Sequence, residues 1–320
     1  MDSESLLTFV TIHQASSFSA AADMLGRSQP AISRRIALLE EQLGVPVFER
    51  VGGGVTLSEA GRTLLPHAER VLAALRDASS AIDALRTGTA GRMAIAAVGT
   101  LAGTNLTPIL KRFTAGHPAI DLAIRTASSA EVSDLVRRGE VTLGLRYLLD
   151  PSPDLICEHI ASEAMVIACP PGHRFAGRRI ASLVQLRDEA WFAFPNAFEQ
   201  RETFADNIFA QFQARGIGAI RWTPLDSLTA KKRLIEAGLG LALLPVSAVD
   251  DELRQGSLAT ITVTDLNAAN PVYAIVRKGG YLSPATVKLL TLLRRSSGFA
   301  SRPGRKPRRE TKRPPSRRPL

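Results

Sequence analysis

Aromatic residues are scarce in this chain. Phe, Trp and Tyr together make up 5% of its 320 residues, with two Trp and three Tyr. Aliphatic side chains dominate instead, which fits a helix-rich intracellular protein better than a sandwich or a secreted module. Cysteine is scarcer still: Cys157 and Cys169 cannot build the disulfide framework of a small secreted scaffold. No run of about 18 apolar residues occurs, so no segment reads as a membrane span. Asp2 and Glu4 precede an amphipathic stretch (Leu6, Leu7, Phe9, Val10), the reverse of the basic start of a signal peptide. The expectation is a cytoplasmic protein with no membrane partner. At this length the chain has room for about two or three domains and a sizeable core.

Catalytic signatures are missing too. The five histidines (13, 67, 117, 159 and 173) are scattered and match no metal-ligand spacing, so no metal is expected. No Gly-x-Ser-x-Gly elbow occurs, and no acid–base pair stands out. Gly238-Leu239-Gly240 lacks the third glycine of a dinucleotide fingerprint and precedes a strand-like run, so it reads as a helix exit. Neither a catalytic residue nor a cofactor is assigned. Asn105-Leu106-Thr107 is a glycosylation sequon only in a secreted protein. The cysteine pair raises the idea of a redox switch, but Cys169 ends an apolar run, where a small buried hydrophobe is the usual role.

Positive charge is plentiful, and unevenly placed. The formal net charge is +10, yet residues 301–320 hold nine Arg or Lys against one Glu. Without that segment the remaining 300 residues carry +2. Residues 1–58 hold four Arg against six acidic side chains. The high isoelectric point therefore describes the tail. With five prolines and no apolar periodicity, residues 299–320 are expected to be a disordered basic tail, either neutral or a source of nonspecific DNA attraction.

The informative stretch is Ser16-Ser17-Phe18-Ser19-Ala20-Ala21-Ala22-Asp23-Met24-Leu25-Gly26-Arg27-Ser28-Gln29-Pro30-Ala31-Ile32-Ser33-Arg34-Arg35-Ile36. It predicts two helices over about 18–37. Ser19 is placed to cap the first. Gly26 suits its exit, where a left-handed residue is needed. Ser28 is placed to cap the second, with Pro30 in its first turn. Ile32, Ile36, Leu39 and Leu43 recur at four, three and four residues and lay one apolar stripe. Gln29, Ser33 and Arg34 fall off that stripe. In a helix-turn-helix the second helix enters the major groove. There Gln pairs with adenine, Arg with guanine, and Pro or Ala touches a thymine methyl.

Phe18-Ser19-Ala20-Ala21-Ala22, Leu25, Ser28-Gln29-Pro30-Ala31-Ile32-Ser33, Ile36, Leu39-Glu40, Leu43-Gly44, Phe48-Glu49-Arg50 and Thr56-Leu57-Ser58-Glu59-Ala60-Gly61 resemble the N-terminal domain of LysR-type transcriptional regulators. The resemblance spans about the first 85 residues. It implies a winged helix-turn-helix over 1–58, with residues 51–56 as the wing. It also implies that Ser28, Gln29, Pro30, Ser33 and Arg34 face DNA and that Arg50 lies near a phosphate. Double-stranded operator DNA is the implied partner, with RNA polymerase a further one.

Residues 59–87 predict one long linker helix. Leu64, Ala68, Val71, Leu75, Ala78, Ile82 and Leu85 repeat at alternating four and three residues, the seam of a coiled coil. Pro66 is expected to kink or weaken its first turns. Leu64, Val71, Leu75 and Ile82 are assigned to a homodimer seam, an arrangement the resemblance supports, with a homotetramer as the larger assembly. Beyond a short linker, strand-like runs at 93–98, 121–126, 142–147, 165–169, 191–194, 219–222, 241–244, 258–263 and 272–276 alternate with helical stretches at 106–114, 129–138, 203–215, 228–237 and 284–294. That alternation predicts α/β sheets. The resemblance refines it to a two-lobed, periplasmic-binding-protein-like effector domain over 92–298, with lobe one at about 92–161 and 267–298 and lobe two at 162–266. A ligand in such a module binds near strand C-termini and helix N-termini. That places Thr100, Ser128, Arg146, Phe194 and Asn196 as candidate contacts for a small organic acid. The rival readings are an α/β enzyme or solute-binding protein with an incidental helical domain, and a regulator that needs no ligand.

Overall fold

The structure, a computed structural model, describes residues 1–51, 54–87, 91–194, 204–266 and 268–296. The side chains of 50, 51, 87 and 204–207 lie outside that description. Three helices open the chain: α1 (Ser3–Ala15), α2 (Phe18–Leu25) and α3 (Gln29–Leu43). A hairpin of β1 (Phe48–Val51) and β2 (Gly54–Leu57) follows, paired antiparallel from Phe48 opposite Leu57 to Val51 opposite Gly54. Phe9, Ile12, Ala21, Ile32, Ile36, Leu39 and Val47 close one core. The cap of α2 is Ser17, whose side chain accepts from the Ala20 amide, and not Ser19. Gly26 ends α2 at φ 61°, as its position predicts. The stripe on α3 stops at Leu39, because Leu43 is exposed beside the Gly44 exit.

Helix α4 (Glu59–Thr87) runs through Pro66 without ending there. It can approach the hairpin only because residue 61 is Gly: a Cβ there would stand 2.1 Å from the Val47 carbonyl oxygen. Two stripes share this helix. Ala68 and Leu72 are buried in the first core, with Leu64 and Leu65 packed against it. Leu64 therefore turns toward its own head and does not belong to an outer seam. Val71, Leu75, Ile82 and Leu85 are 45%, 48%, 64% and 83% exposed.

The rest is α/β. Strand β3 (Gly91–Val98) leads through α5 (Gly99–Ala102) and α6 (Leu106–Gly116) to β4 (Ile120–Ala127). Then α7 (Ser129–Arg137) leads to β5 (Leu143–Tyr147). The next strand, β6 (Leu155–Cys169), is the longest, and the sequence signalled only its last third. After it come β7 (Arg179–Ile180), β8 (Ala190–Ala193), α8 (Phe204–Gln213), β9 (Arg221–Pro224), α9 (Leu228–Glu236), β10 (Ala242–Pro245), α10 (Val246–Gln255), β11 (Ala259–Val263), β12 (Ala269–Arg277) and α11 (Pro284–Arg295).

Among the described residues the main sheet runs β4-β3-β5-β12-β6-β11-β7, with β10 also on β6. Strands β3, β4 and β5 are parallel, and β12 closes that half antiparallel to β5. Residues Leu155 to Ala164 of β6 pair antiparallel with β12, while Met165 to Cys169 pair with β10 and β11. Two antiparallel strands thus pass from one half to the other. Lobe one carries α6 and α11 on one face of its sheet and α7 on the other. Residue 144 must be glycine, since a Cβ would come within 2.7 Å of Ile275 and Val132. In lobe two β8 and β9 are parallel, and the parallel bridge of Trp191 with Leu241 aligns them with the strand that follows. Among the described residues no helix is long and apolar enough to cross a membrane.

Candidate functional site

The head presents the second helix of its pair to solvent. Ser28 caps α3 by backbone conformation alone, with no side-chain hydrogen bond, and Pro30 lies in the first turn. Ser28, Gln29, Pro30 and Arg34 are exposed and Ser33 is half-buried. The Gln29 amide donates to the Ser33 hydroxyl at 2.9 Å, which holds both on one outward face. Arg35, one residue on, is tied back to Glu4 of α1. Arg34 has no such tie among the described residues. The side chain of Arg50 and the tip residues 52 and 53 lie outside the described residues, as do Asn196 and the tail 297–320.

The lobes meet at the C-terminal edges of their parallel strands. Thr100 lies in α5 just after β3, and Tyr147 ends β5. The Thr100 hydroxyl is 3.0 Å from the Tyr147 hydroxyl, which donates to Glu163 at 2.6 Å. Glu163 is buried on the crossing strand and also accepts from the Asn105 amide at 2.5 Å and the Ser247 hydroxyl at 3.2 Å. Asn105 and Tyr147 belong to lobe one, and Ser247 opens α10 in lobe two. A phenol has one proton, so while Glu163 is ionised Thr100 donates to Tyr147. Burial raises the pKa of Glu163 against these hydrogen bonds. Burial and the neighbouring Glu163 push Tyr147 well up, which keeps it a donor.

The other expected contacts are engaged elsewhere. Ser128 accepts from the Glu131 amide at 3.3 Å and its own amide donates to the Glu131 carboxylate at 2.8 Å, a reciprocal capping box. Arg146 is 1% exposed, with its guanidinium on Asp150 at 2.8 Å and on the Ser133 hydroxyl at 2.5 Å. Burial would raise the Asp150 carboxyl, but hydrogen bonds from Ser152 and Ser133 and the charge of Arg137 hold it well below the usual carboxylate range. An internal ion pair stands where an anion contact was expected, because Arg146 faces α7 across the sheet from Tyr147.

Phe194 does reach the edge of the cleft, directly after β8, and the Lys231 ammonium lies 3.0 Å from its ring centroid. Sequence reasoning missed Asn105, Tyr147, Glu163, Ser247 and Lys231. For Lys231 a signal existed: it falls between Leu228 and Ile235 at three- and four-residue spacing, on the apolar side of α9. A separate cavity of about 370 Å³ lies between α4 and lobe one, lined in part by Asp83, His117, Thr142 and Lys288, away from the cleft. The two cysteines share β6 twelve residues apart, roughly 40 Å along an extended strand, so they cannot pair within the chain.

Residues 86–298 match the LysR substrate binding domain, and residues 3–62 match the bacterial regulatory helix-turn-helix protein, lysR family. The chain belongs to the LysR family. This LysR-type protein is 28% identical over 261 residues to the HTH-type transcriptional regulator CitR of Bacillus subtilis (strain 168), covering 82% of this chain and 88% of that one. It is 29% identical over 278 residues to the HTH-type transcriptional regulator CbbR of Rhodospirillum rubrum, covering 87% and 91%. The crystal structure of CbnR, a LysR family transcriptional regulator, superposes with a TM-score of 0.64 at 25% identity, covering 92% of this chain and 99% of that one. CbnR in complex with its target DNA superposes at 0.62, with 25% identity and the same coverage. The LysR-type protein is thus a DNA-binding transcriptional regulator with an effector-binding domain, and not an enzyme.

The Arg146 ion pair makes a prediction of its own. Arg146→Ala leaves the Asp150 carboxylate buried with less counter-charge, so the variant is expected to lose about 3–5 kcal/mol of stability in urea unfolding. A stability loss below about 1 kcal/mol would show that the ion pair is not what the arginine is there for.

Proposed function

We propose that this regulator works as a dimer, or a dimer of dimers, that reads operator DNA through α3. A small organic acid held between the lobes then biases the spacing of its heads. The proposed division is a head over 1–58, a linker helix over 59–87, an effector domain over 92–298 and a basic tail over 299–320. Its site of action is the cytoplasm. Gln29, Pro30, Ser33 and Arg34 read base edges, and Ser28 and Arg50 contact the backbone. The hydrogen-bonded chain from Thr100 through Tyr147 and Glu163 to Ser247 carries the effector reading, because it links one lobe to the other at the edge of the cleft. A ligand that engages Thr100 and the Phe194 ring acts on that chain directly. Only a ligand with different affinity for two lobe arrangements shifts their balance.

The dimer reading rests on the outer stripe of α4. Fully burying a Val, Leu or Ile side chain contributes about 1.5–3 kcal/mol. Pairing two copies along Val71, Leu75, Ile82 and Leu85 withdraws four such side chains per chain from water. Counting only their exposed parts in both copies, this gives about 7–14 kcal/mol, the same order as the roughly 4–15 kcal/mol cost of association. Two-fold symmetry then presents two heads to half-sites about 10–10.5 bp, or a multiple, apart.

Two measurements test this reading. Arg34→Ala is expected to weaken operator binding by about 1–3 kcal/mol and relax base preference, whereas Arg50→Ala weakens specific and random duplexes alike and lowers the salt slope. Equal losses on both duplexes for Arg34→Ala would remove it from the base-reading set. Leu75→Asp combined with Ile82→Asp places charges in the seam and is expected to dissociate the dimer in sedimentation and abolish operator binding. An oligomer unchanged by that pair would place the interface elsewhere.

A further inference from the structure

Lys231 is a lysine where α9 calls for an apolar residue. With Leu228 and Ile235 it shares the face that packs into lobe two near Phe192, Ala242 and Leu244. Its side chain is 1% exposed, and its Nζ has no hydrogen-bond partner among the described residues. The face of the Phe194 ring, 3.0 Å away at the centroid, meets the ammonium directly. A cation removed from water without a counter-charge is among the most costly groups a fold can bury. Burial pulls its pKa down to about 7, with the field of Asp226 opposing. A structural role does not need this charge: a methionine of similar length would fill the space.

Its contact with Phe194 places the ammonium near one edge of lobe two. Strands β8, β9 and β10 run parallel, so Phe194, the start of α9 at Ser227 and the start of α10 at Pro245 lie on one edge of lobe two. Ser247, in the first turn of α10, reaches Glu163, which holds Tyr147 and Asn105 of lobe one. That edge is therefore the one turned toward lobe one.

We propose that Lys231 is the anion anchor of lobe two: a carboxylate of the ligand takes its ammonium as counter-ion, with the Phe194 ring as the adjoining wall. The inference rests on the cleft being the effector site, and it names the chemistry the site selects. Arg146 cannot serve, since Asp150 already holds it. A neutral amide of the same shape lacks the charge the buried ammonium is missing.

The test uses the full-length protein, K231M and T100V. Their Tm is read with acetate, succinate, citrate or benzoate at millimolar concentration, and with the corresponding neutral amides. Ligand that binds only the folded state raises Tm by mass action. At least one carboxylate is expected to raise the parent Tm by several degrees while its amide does not, and K231M is expected to lose that shift. Without ligand, K231M is expected to melt above the parent at neutral pH, which separates loss of binding from loss of fold. Should K231M not fold, Lys231→Gln takes its place. If T100V loses the shift and K231M keeps it, the cleft stands as the effector site and Lys231 is not its anchor. If both keep it, the anion binds outside the cleft and both readings fail. A parent Tm that no carboxylate moves overturns the anchor as well.

Discussion

Glu163 is the point on which the effector domain turns. Its carboxyl is buried on the strand that crosses from one lobe to the other, with no cation on it among the described residues. A carboxylate so placed is tolerable only while hydrogen bonds replace the water it has lost. Those bonds come from Tyr147 and Asn105 on one side and Ser247 on the other, so the two lobes are tied through one acceptor. Separating Ser247 from Glu163 would strip a donor from this buried acid, at a cost in free energy. The β6–β12 pairing spans the crossing, with a register shift between Val272 and Tyr273 that interrupts its regularity.

The lobes reach the head through α4. Asp77 on that helix accepts from the Arg277 guanidinium at 2.5 Å and from the Tyr281 amide at 3.1 Å, and Arg76 donates to the Arg138 carbonyl at 2.6 Å. Ala73, fully buried, is the nearest side chain to the space a Cβ on Gly139 would fill. Arg277 ends the crossing strand β12, so the crossing and the linker dock share one element. The same junction lowers the pKa of His13 on α1, first by burial and then through the charge of Arg138. Lobe one and the base of the reading head are thus joined through α4.

Local chemistry was legible and long-range chemistry was not. Gly26, Pro30 and the Ile32–Ile36–Leu39 stripe each act within a few residues, so their roles could be read from spacing alone. The error at α2, Ser17 for Ser19, is one of two adjacent candidates within the same turn. The first ten residues of β6 escaped notice because a strand between two lobes is not evenly half-buried. Cys157, Glu158, His159 and Glu163 break the alternation that marks a strand. Thr100, Tyr147 and Glu163 lie far apart in sequence, so their hydrogen bonds exist only once β3, β5 and β6 share a sheet. Arg146 looked like an anion contact from its place at a strand end. Only its sheet face, which points to α7 and Asp150, decides otherwise. On α4 one heptad pattern conceals two faces: Leu64 and Ala68 pack on the head, while Val71, Leu75, Ile82 and Leu85 stay exposed.

The most direct test of this account is the lobe-to-lobe distance. Spin labels at Lys111 on α6 and Arg254 on α10, with Cys157 and Cys169 replaced, report it in the full-length protein. Tyr147→Phe removes one hydroxyl from the Glu163 cluster and keeps the ring. The account requires the distance distribution to shift or broaden in Tyr147→Phe relative to the parent. Identical distributions would contradict the claim that this buried cluster sets the arrangement of the lobes.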